Sequence, residues 1–300
     1  MPDQSPLRRG LGAALIACVI WGLLPLYFRA LHGVPAPEVV ANRIVWSLIL
    51  LLAILAWRRS LPELWAVLRQ PRLLLTLVAS ALFIGVNWLV YIWAVQHGHV
   101  LAGSLGYFLN PLISVMLGAL VLGERLGRLQ WLAVAVAGCG VALLGLQAFD
   151  ALWISLALAF SFGFYGLIRK MAPVGPLVGL TVETLVLGPI ALGFMAYWQA
   201  RGQLAFTVAP PSLMALLVAA GPLTTIPLML YAFAAQRLRL STLCLTQYIG
   251  PTLQLGLGLL VFHEPLTPAH SVAFPLIWAG LALYSWSAWQ QSRPATQRPA

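Results

Sequence analysis

Charged residues are scarce in this sequence, and acidic residues are the scarcest. Only 8% of the 300 residues are charged, with 7 Asp and Glu against 17 Lys and Arg, while 61% are hydrophobic. A soluble domain carries about 25% charged residues, so this composition excludes a water-soluble fold. The three cysteines lie in separate apolar runs, which excludes a disulfide framework. A Walker A sequence is also lacking, so we expect no direct use of ATP.

Long apolar runs fill most of the chain instead. A membrane-spanning helix needs about 20 apolar residues. These runs are too long and too unalternating for the strands of a barrel. The sequence therefore predicts an all-α integral membrane protein with ten transmembrane helices. Their predicted ranges are 10–29, 38–57, 72–95, 101–122, 129–147, 150–168, 177–198, 212–235, 241–262 and 271–289.

The basic residues are distributed unevenly between the two sides of this topology. Fourteen of the 17 lie on the side of the N-terminus, Arg29 and Arg201 lie on the other side, and Arg43 falls inside a span. Cytoplasmic loops of membrane proteins carry an excess of Lys and Arg. We therefore predict that both termini are cytoplasmic and that the basic loops contact anionic lipid. The same distribution argues against a nucleic-acid partner.

The chain nearly repeats itself after 140 residues. Across residues 85–143 the shifted sequence gives 15 identities in 59 positions, among them Tyr91 with Tyr231 and Pro111 with Pro251. Ten spans divide into five and five, and because five is odd the second half enters the membrane inverted. Inverted repeats are typical of secondary transporters. The predicted units are two inverted five-helix repeats, residues 1–148 and 149–291, followed by a cytoplasmic tail, residues 292–300.

Short motifs add a family resemblance over nearly the whole chain. They are IWG at 20–22, NR at 42–43, GYFLNPL at 106–112 and GERL at 123–126. The chain resembles the EamA type of the drug/metabolite transporter superfamily and, within it, the RarD branch named for chloramphenicol sensitivity. The branch usually has His where Asn42 stands. The resemblance implies a multi-pass permease of the bacterial inner membrane, with a central cavity lined mainly by spans 1, 3, 4, 6, 8 and 9.

Arg43 and Glu183 are the two charged residues most clearly inside predicted spans, and they match each other at the 140-residue offset. A charge at the bilayer centre costs at least about 2.5–3.5 kcal/mol on insertion scales, so such residues tend to face a cavity or a partner. Three arrangements are open: a direct ion pair, separate polar partners, or snorkelling to the membrane surface. Both residues are predicted to belong to the substrate site.

Polar and aromatic residues at helical spacing complete the predicted site. Asn87 and Tyr91 share one helix face, because residues four apart lie one above the other. The alternative for these residues is a structural role as hydrogen-bonding glue between helices. Glu124 and Glu264 end spans 4 and 9, and we expect capping or loop packing there. The remaining predicted substrate-binding residues are Trp21, Tyr107, Asn110, Tyr165, Tyr231, Gln247 and Gln254.

The predicted function is secondary transport of a small organic metabolite or drug-like solute by alternating access around a central cavity. We expect no cofactor, no metal and no enzymatic activity, a proton as the candidate coupling ion, and a monomer or homodimer. One alternative is an intramembrane enzyme of the lipid-linked transferase type, although its carboxylates would have to converge and most acids here lie at helix ends. A scramblase or a structural membrane protein is the other alternative.

Overall fold

The computed structural model describes residues 5–123, 126–147, 149–235, 237–238 and 246–291, and the regular secondary structure within them is all helical, without strands. The all-α prediction is therefore confirmed. The helices are α1 (Ser5–Ala30), α2 (Ala36–Trp57), α3 (Leu61–Leu68), α4 (Pro71–Gln96), α5 (Val100–Leu122), α6 (Arg128–Gln147), α7 (Phe149–Met171), α8 (Pro176–Ala200), α9 (Ala205–Val208), α10 (Pro211–Ala235), α11 (Ile249–Leu260) and α12 (Pro268–Gln291).

Prolines and one glycine explain several of these boundaries. Helices α2, α3, α4 and α8 each have a proline at the first or second helical position. Proline is tolerated there because its missing N–H would lack a partner in any case. Gly123 ends α5 with a φ of 66°, a left-handed conformation that glycine adopts without a Cβ clash.

Seven described helices are long and apolar enough to cross a membrane: α1, α2, α4, α5, α7, α8 and α10. Apolar segments of α6 and α11 are shorter, at Arg128–Leu144 and Ile249–Leu260. The count of ten spans therefore stays a prediction. Part of predicted span 9, residues 241–245, lies outside the described residues, as does Glu124. The short helices α3 and α9 are additions that the hydrophobic runs did not reveal.

The first helix of each half packs against the other half. Helix α1 contacts α10 and α11, and α7 contacts the equivalent helices α4 and α5. Helix α2 packs on α8 and α10, and α8 in turn packs on α4. Exchanging the halves (α1 with α7, α2 with α8, α4 with α10, α5 with α11, α6 with α12) maps this set of contacts onto itself. The core is thus built between the halves as much as within them.

The contact between α6 and α12 is reciprocal at the level of single residues. A Cβ on Gly140 would lie 2.9 Å from the carbonyl oxygen of Ala273, and one on Gly280 would lie 2.7 Å from that of Ala133. Both the glycines and the alanines are 140 residues apart. Small residues let helix backbones approach closely in membranes. Here a glycine of each helix packs on an alanine of the other helix.

Candidate functional site

One face of α4 carries the polar residues that reach the second half of the chain. Ser80, Asn87 and Tyr91 are spaced by seven and four residues, so they lie along a single helix face. All three are buried, with exposed fractions of 0%, 1% and 2%. Because α4 packs against both α7 and α8, this face meets the helices that carry Tyr165 and Glu183.

Glu183 has a full set of partners. Its side chain is entirely buried. One carboxylate oxygen accepts a hydrogen bond from the Ser80 hydroxyl at 2.7 Å and lies 3.6 Å from Nε of Arg169. The other oxygen accepts a long hydrogen bond from the Tyr165 hydroxyl at 3.5 Å. We call Glu183, Ser80, Tyr165 and Arg169 the glutamate cluster. Its ion pair is made within the second half, and its serine comes from the first.

Arg169 reaches Glu183 by lying across a glycine. A Cβ on Gly179 would overlap the guanidinium of Arg169, so only glycine leaves room for it. The guanidinium also donates to the carbonyl oxygen of Gly175 at 3.4 Å. The sequence placed Arg169 among the cytoplasmic basic residues, but the structure folds its side chain back along α8 to neutralise a buried acid.

Arg43 is in a different situation. Its guanidinium lies 4.3 Å from the ring centroid of Trp88, in a cation–π contact. The guanidinium is also within electrostatic range of the hydroxyls of Tyr27, Tyr91 and Tyr107. Among the described residues Arg43 makes no ion pair, and its buried Nε has no hydrogen-bond acceptor. We call Arg43, Trp88 and the three tyrosines the arginine cluster.

Three of the residues predicted on α4 and α5, namely Asn87, Tyr91 and Tyr107, lie in contact. The rings of Tyr91 and Tyr107 lie 5.2 Å apart, and the Tyr107 hydroxyl donates to Asn87 at 3.2 Å. The amide of Asn87 donates to the carbonyl oxygen of Leu158 at 3.1 Å and to the Ser161 hydroxyl at 3.0 Å. Asn87 thus joins α4 and α5 to α7, as the helix-glue alternative describes.

Besides Nε of Arg43, two buried polar atoms near Tyr107 have no hydrogen-bond partner among the described residues. They are the Tyr91 hydroxyl and Oδ1 of Asn110, which lies three residues after Tyr107. An aromatic path continues from Tyr107 to Phe162, at 6.2 Å, and from Phe162 to Tyr165, at 5.7 Å. This path connects the arginine cluster to the glutamate cluster.

The residues predicted in the second half gather around α1. The rings of Trp21 and Tyr231 lie 5.5 Å apart, and the amide of Gln247 donates to the Tyr231 hydroxyl. Gln254 donates to the carbonyl oxygen of Trp21 at 3.1 Å, while its own side-chain oxygen is buried without a partner. Pro251 lies in the first turn of α11. Its carbonyl oxygen accepts a hydrogen bond from Ser104 at 2.8 Å.

Two glutamates hold the ends of helices instead of facing a site. Glu264 accepts hydrogen bonds from the backbone N–H groups of Val100 and Leu101, at 2.5 and 2.8 Å, and so caps α5. Burial raises the pKa of Glu264, and the two N–H groups oppose that rise. Glu38, which the sequence did not single out, accepts from the N–H groups of Ala205 and Phe206 at the start of α9. The expected capping role of Glu264 agrees with this geometry.

Two cavities lie away from both clusters. One, of about 430 Å³, lies between α5, α11 and α12 beside Phe108 and Trp278. The other, of about 530 Å³, lies at the start of α4 beside Arg69 and Pro173. None of the predicted site residues lines either cavity, so neither is the expected central cavity.

Arg43 and Glu183 therefore have separate partners, and the direct ion pair is not the arrangement found. Sequence reasoning missed Ser80 and Arg169. The spacing of Ser80 from Asn87 on one face of α4 could have revealed the first, whereas Arg169 depends on the space above Gly179. Within the described residues there is no group of three or more His, Cys, Asp or Glu side chains that could hold a metal ion.

Comparison with known proteins identifies the family of the chain. The EamA-like transporter family matches residues 8–146. An uncharacterised transporter of Pseudomonas aeruginosa is 48% identical over 97% of this chain and 98% of its own length. The protein RarD of Escherichia coli is 42% identical over 94% and 95% of the two chains, and a chloramphenicol-sensitive protein RarD of Pseudomonas aeruginosa is 31% identical over 97% and 98%.

One solved crystal structure has a TM-score of 0.59 with this fold, at 21% sequence identity, and covers 95% of this chain and 99% of that chain. At that identity the match shows a shared fold alone. These relatives extend over nearly the full length of both chains, and two of them are 48% and 42% identical, so they establish the family. The chain belongs to the EamA family of bacterial membrane transporters, in its RarD-like group.

Proposed function

We propose that this transporter moves a small organic solute across the bacterial inner membrane by alternating access. Residues 1–148 and 149–291 are the two inverted units, and the two clusters lie where these units meet. The observation that carries the proposal is the exchange of contacts: α1 packs on α10 and α11, and α7 packs on α4 and α5. Two units joined in this reciprocal way can rock about their shared centre with equivalent contacts in either direction.

The burial of the clusters supports a closed state of such a cycle. Arg43 is 6% exposed, Tyr91 2%, Asn87 1% and Glu183 0%. A rocking motion that separates α4 from α7 and α8 would expose these residues to one side of the membrane. The hydrogen bond from Ser80 to Glu183 crosses between the units, so it would have to break in that motion.

Solute counterflow in proteoliposomes tests the transport function. Purified protein is reconstituted and loaded with one unlabelled solute, and uptake of the same radiolabelled solute is followed for a panel of amino acids, organic acids, amines and chloramphenicol. Transient accumulation that needs the protein and saturates would support transport. Chemical conversion of a solute would favour an enzyme, and unsaturable leakage of lipid or solute would favour a scramblase.

Thiol accessibility tests alternating access and topology together. In a variant without native cysteines, Asn110→Cys should react with a membrane-impermeant maleimide from either side, and bound solute should change the two rates in opposite directions. Access from one side under every condition would contradict the proposal.

Ser292→Cys should react only in permeabilised cells, because both termini are proposed to be cytoplasmic, with the basic loops against anionic lipid. Cross-linking in the same membranes separates a monomer from a homodimer.

A further inference from the structure

We propose that the transported solute is an anion and that Arg43 provides its countercharge; this rests on the proposed transport function. Arg43 is an arginine inside a predicted span, 6% exposed, with no acidic partner among the described residues. A buried charge is strongly unfavourable unless it is paired or hydrogen-bonded. A solute carrying a carboxylate, phosphate or sulfonate group would supply the missing partner.

The acidic side chains that the structure describes have other partners or lie far along the chain from Arg43. Glu183 is paired with Arg169, Glu38 holds the start of α9, and Glu264 holds the start of α5. Glu63 is on the short helix α3, beyond the opposite end of α2 from Arg43. The described side chains thus leave the arginine cluster with one uncompensated positive charge. The glutamate cluster is close to neutral, since its acid and base neutralise each other.

The neighbours of Arg43 stabilise a cation without neutralising it. The ring of Trp88 has its centroid 4.3 Å from the guanidinium carbon of Arg43. The hydroxyls of Tyr27 and Tyr107 already donate, to Leu216 and Asn87 respectively. The planar guanidinium presents paired N–H donors that match carboxylate and phosphate oxygens. Its chemistry therefore suits a planar or tetrahedral oxyanion.

Unpartnered polar atoms indicate the rest of the solute. The Tyr91 hydroxyl, which is within electrostatic range of Arg43, has no hydrogen-bond partner among the described residues. Oδ1 of Asn110, three residues after Tyr107, is a buried acceptor without a donor. The ring of Tyr107 lies 5.2 Å from that of Tyr91 and 6.2 Å from that of Phe162. The solute class that fits these groups is a small organic acid that also carries a hydroxyl or amino group.

A charge-matched set of ligands tests this inference in purified full-length protein. Benzoate, phenyl phosphate, benzamide and benzylamine share one ring and differ in charge. Ligands that bind the native state raise the unfolding temperature. We expect benzoate or phenyl phosphate to raise it, with benzamide and benzylamine giving no comparable shift. The variant Arg43→Gln should bind the anions about tenfold or more weakly, and Arg43→Lys should retain part of the affinity.

Arg201→Gln is the matched control, since Arg201 also lies 4.3 Å from an aromatic ring, that of Tyr197, but is exposed. It should bind the anions as the parent protein does. If Arg43→Gln does not fold, the inference is tested by the ligand selectivity of the parent protein and by the affinity of Arg43→Lys for the anions. The inference is overturned if benzamide or benzylamine binds as well as the anions, if neither anion binds, or if Arg43→Gln binds them undiminished.

Counterflow of the same four compounds separates this inference from the proposed function. Saturable exchange of benzylamine or benzamide, with no exchange of the anions, would support the proposed transport function and contradict the inference that the solute is an anion. Anion binding that depends on Arg43, without saturable exchange of either anion, would support an anion site at Arg43 and contradict the proposed transport function. Saturable exchange confined to the anions would support both.

Discussion

Arg43 and Glu183 occupy equivalent positions in the two halves and differ in what surrounds them. Glu183 has a serine, a tyrosine and an arginine within 3.6 Å. Arg43 has an aromatic ring, tyrosine hydroxyls within electrostatic range and no ion pair among the described residues. Glu183 is neutralised by a partner within the protein, and Arg43 has no such partner among the described residues. Positions that match in the sequence repeat thus carry charges of opposite sign in different surroundings.

The different surroundings follow from neighbouring residues of α7 and α8. Arg169 can approach Glu183 because Gly179 has no side chain in the way. At the matching position of the first half, 39, the residue is valine, which is fully buried. An arginine side chain could not lie over α2 there in the same manner. Gly179 thus leaves room for an arginine to neutralise Glu183, whereas Val39 leaves no such room on the helix that carries Arg43.

The largest expected effect comes from removing the partner of Glu183. Arg169→Met should lower the free energy of unfolding by about 3 kcal/mol, because it leaves a buried carboxylate without a countercharge. The measurement is unfolding in detergent or lipid, by intrinsic fluorescence. Arg169→Met combined with Glu183→Gln should recover most of the loss. If the double variant is less stable than Arg169→Met alone, the ion pair is not what stabilises this region.

Transport should respond to both charges through separate partners. Arg43→Gln or Glu183→Gln should each lower solute counterflow roughly 5- to 30-fold, which corresponds to about 1–2 kcal/mol. Because each residue has its own partners, the losses in the double variant should multiply. Membrane insertion of all three variants is the control. A double variant no worse than either single variant would indicate a direct pair in another state of the cycle.

Sequence reasoning predicted the helical membrane fold from hydrophobic runs and the shared face of Asn87 and Tyr91 from helical spacing, which are local properties of the chain. The family resemblance rested on short motifs instead. The partner of Glu183 was out of reach, because Arg169 lies near the predicted membrane surface and reaches back only where Gly179 permits. Glu38 was missed for a similar reason. Its partners are backbone N–H groups of α9, a helix too short to leave a pattern in the sequence.

The glycine beneath Arg169 provides a smaller test of the same contrast. Gly179→Ala places a methyl group where the guanidinium lies, so Arg169 must move and its contact with Glu183 weakens. We expect a loss of about 1 kcal/mol in the free energy of unfolding. Gly193→Ala is the matched control in the same helix, because a Cβ there would meet nothing within 4 Å. That control should be neutral or stabilising, by up to about 1 kcal/mol.

The smallest expected effect concerns the contact that Arg43 does have. Trp88→Phe keeps an aromatic ring beside the guanidinium but weakens the cation–π attraction. We therefore expect the free energy of unfolding to fall by about 0.5–1 kcal/mol. In the Arg43→Gln background the same change should cost less, and the difference measures the coupling between the two side chains. Trp93→Phe, on the same helix and stacked on His97, serves as the control that should show no coupling with Arg43. A coupling of zero for Trp88 would mean that the ring only packs beside Arg43. The positive charge would then depend still more on a bound anion, and added benzoate should stabilise Trp88→Phe as much as the parent protein.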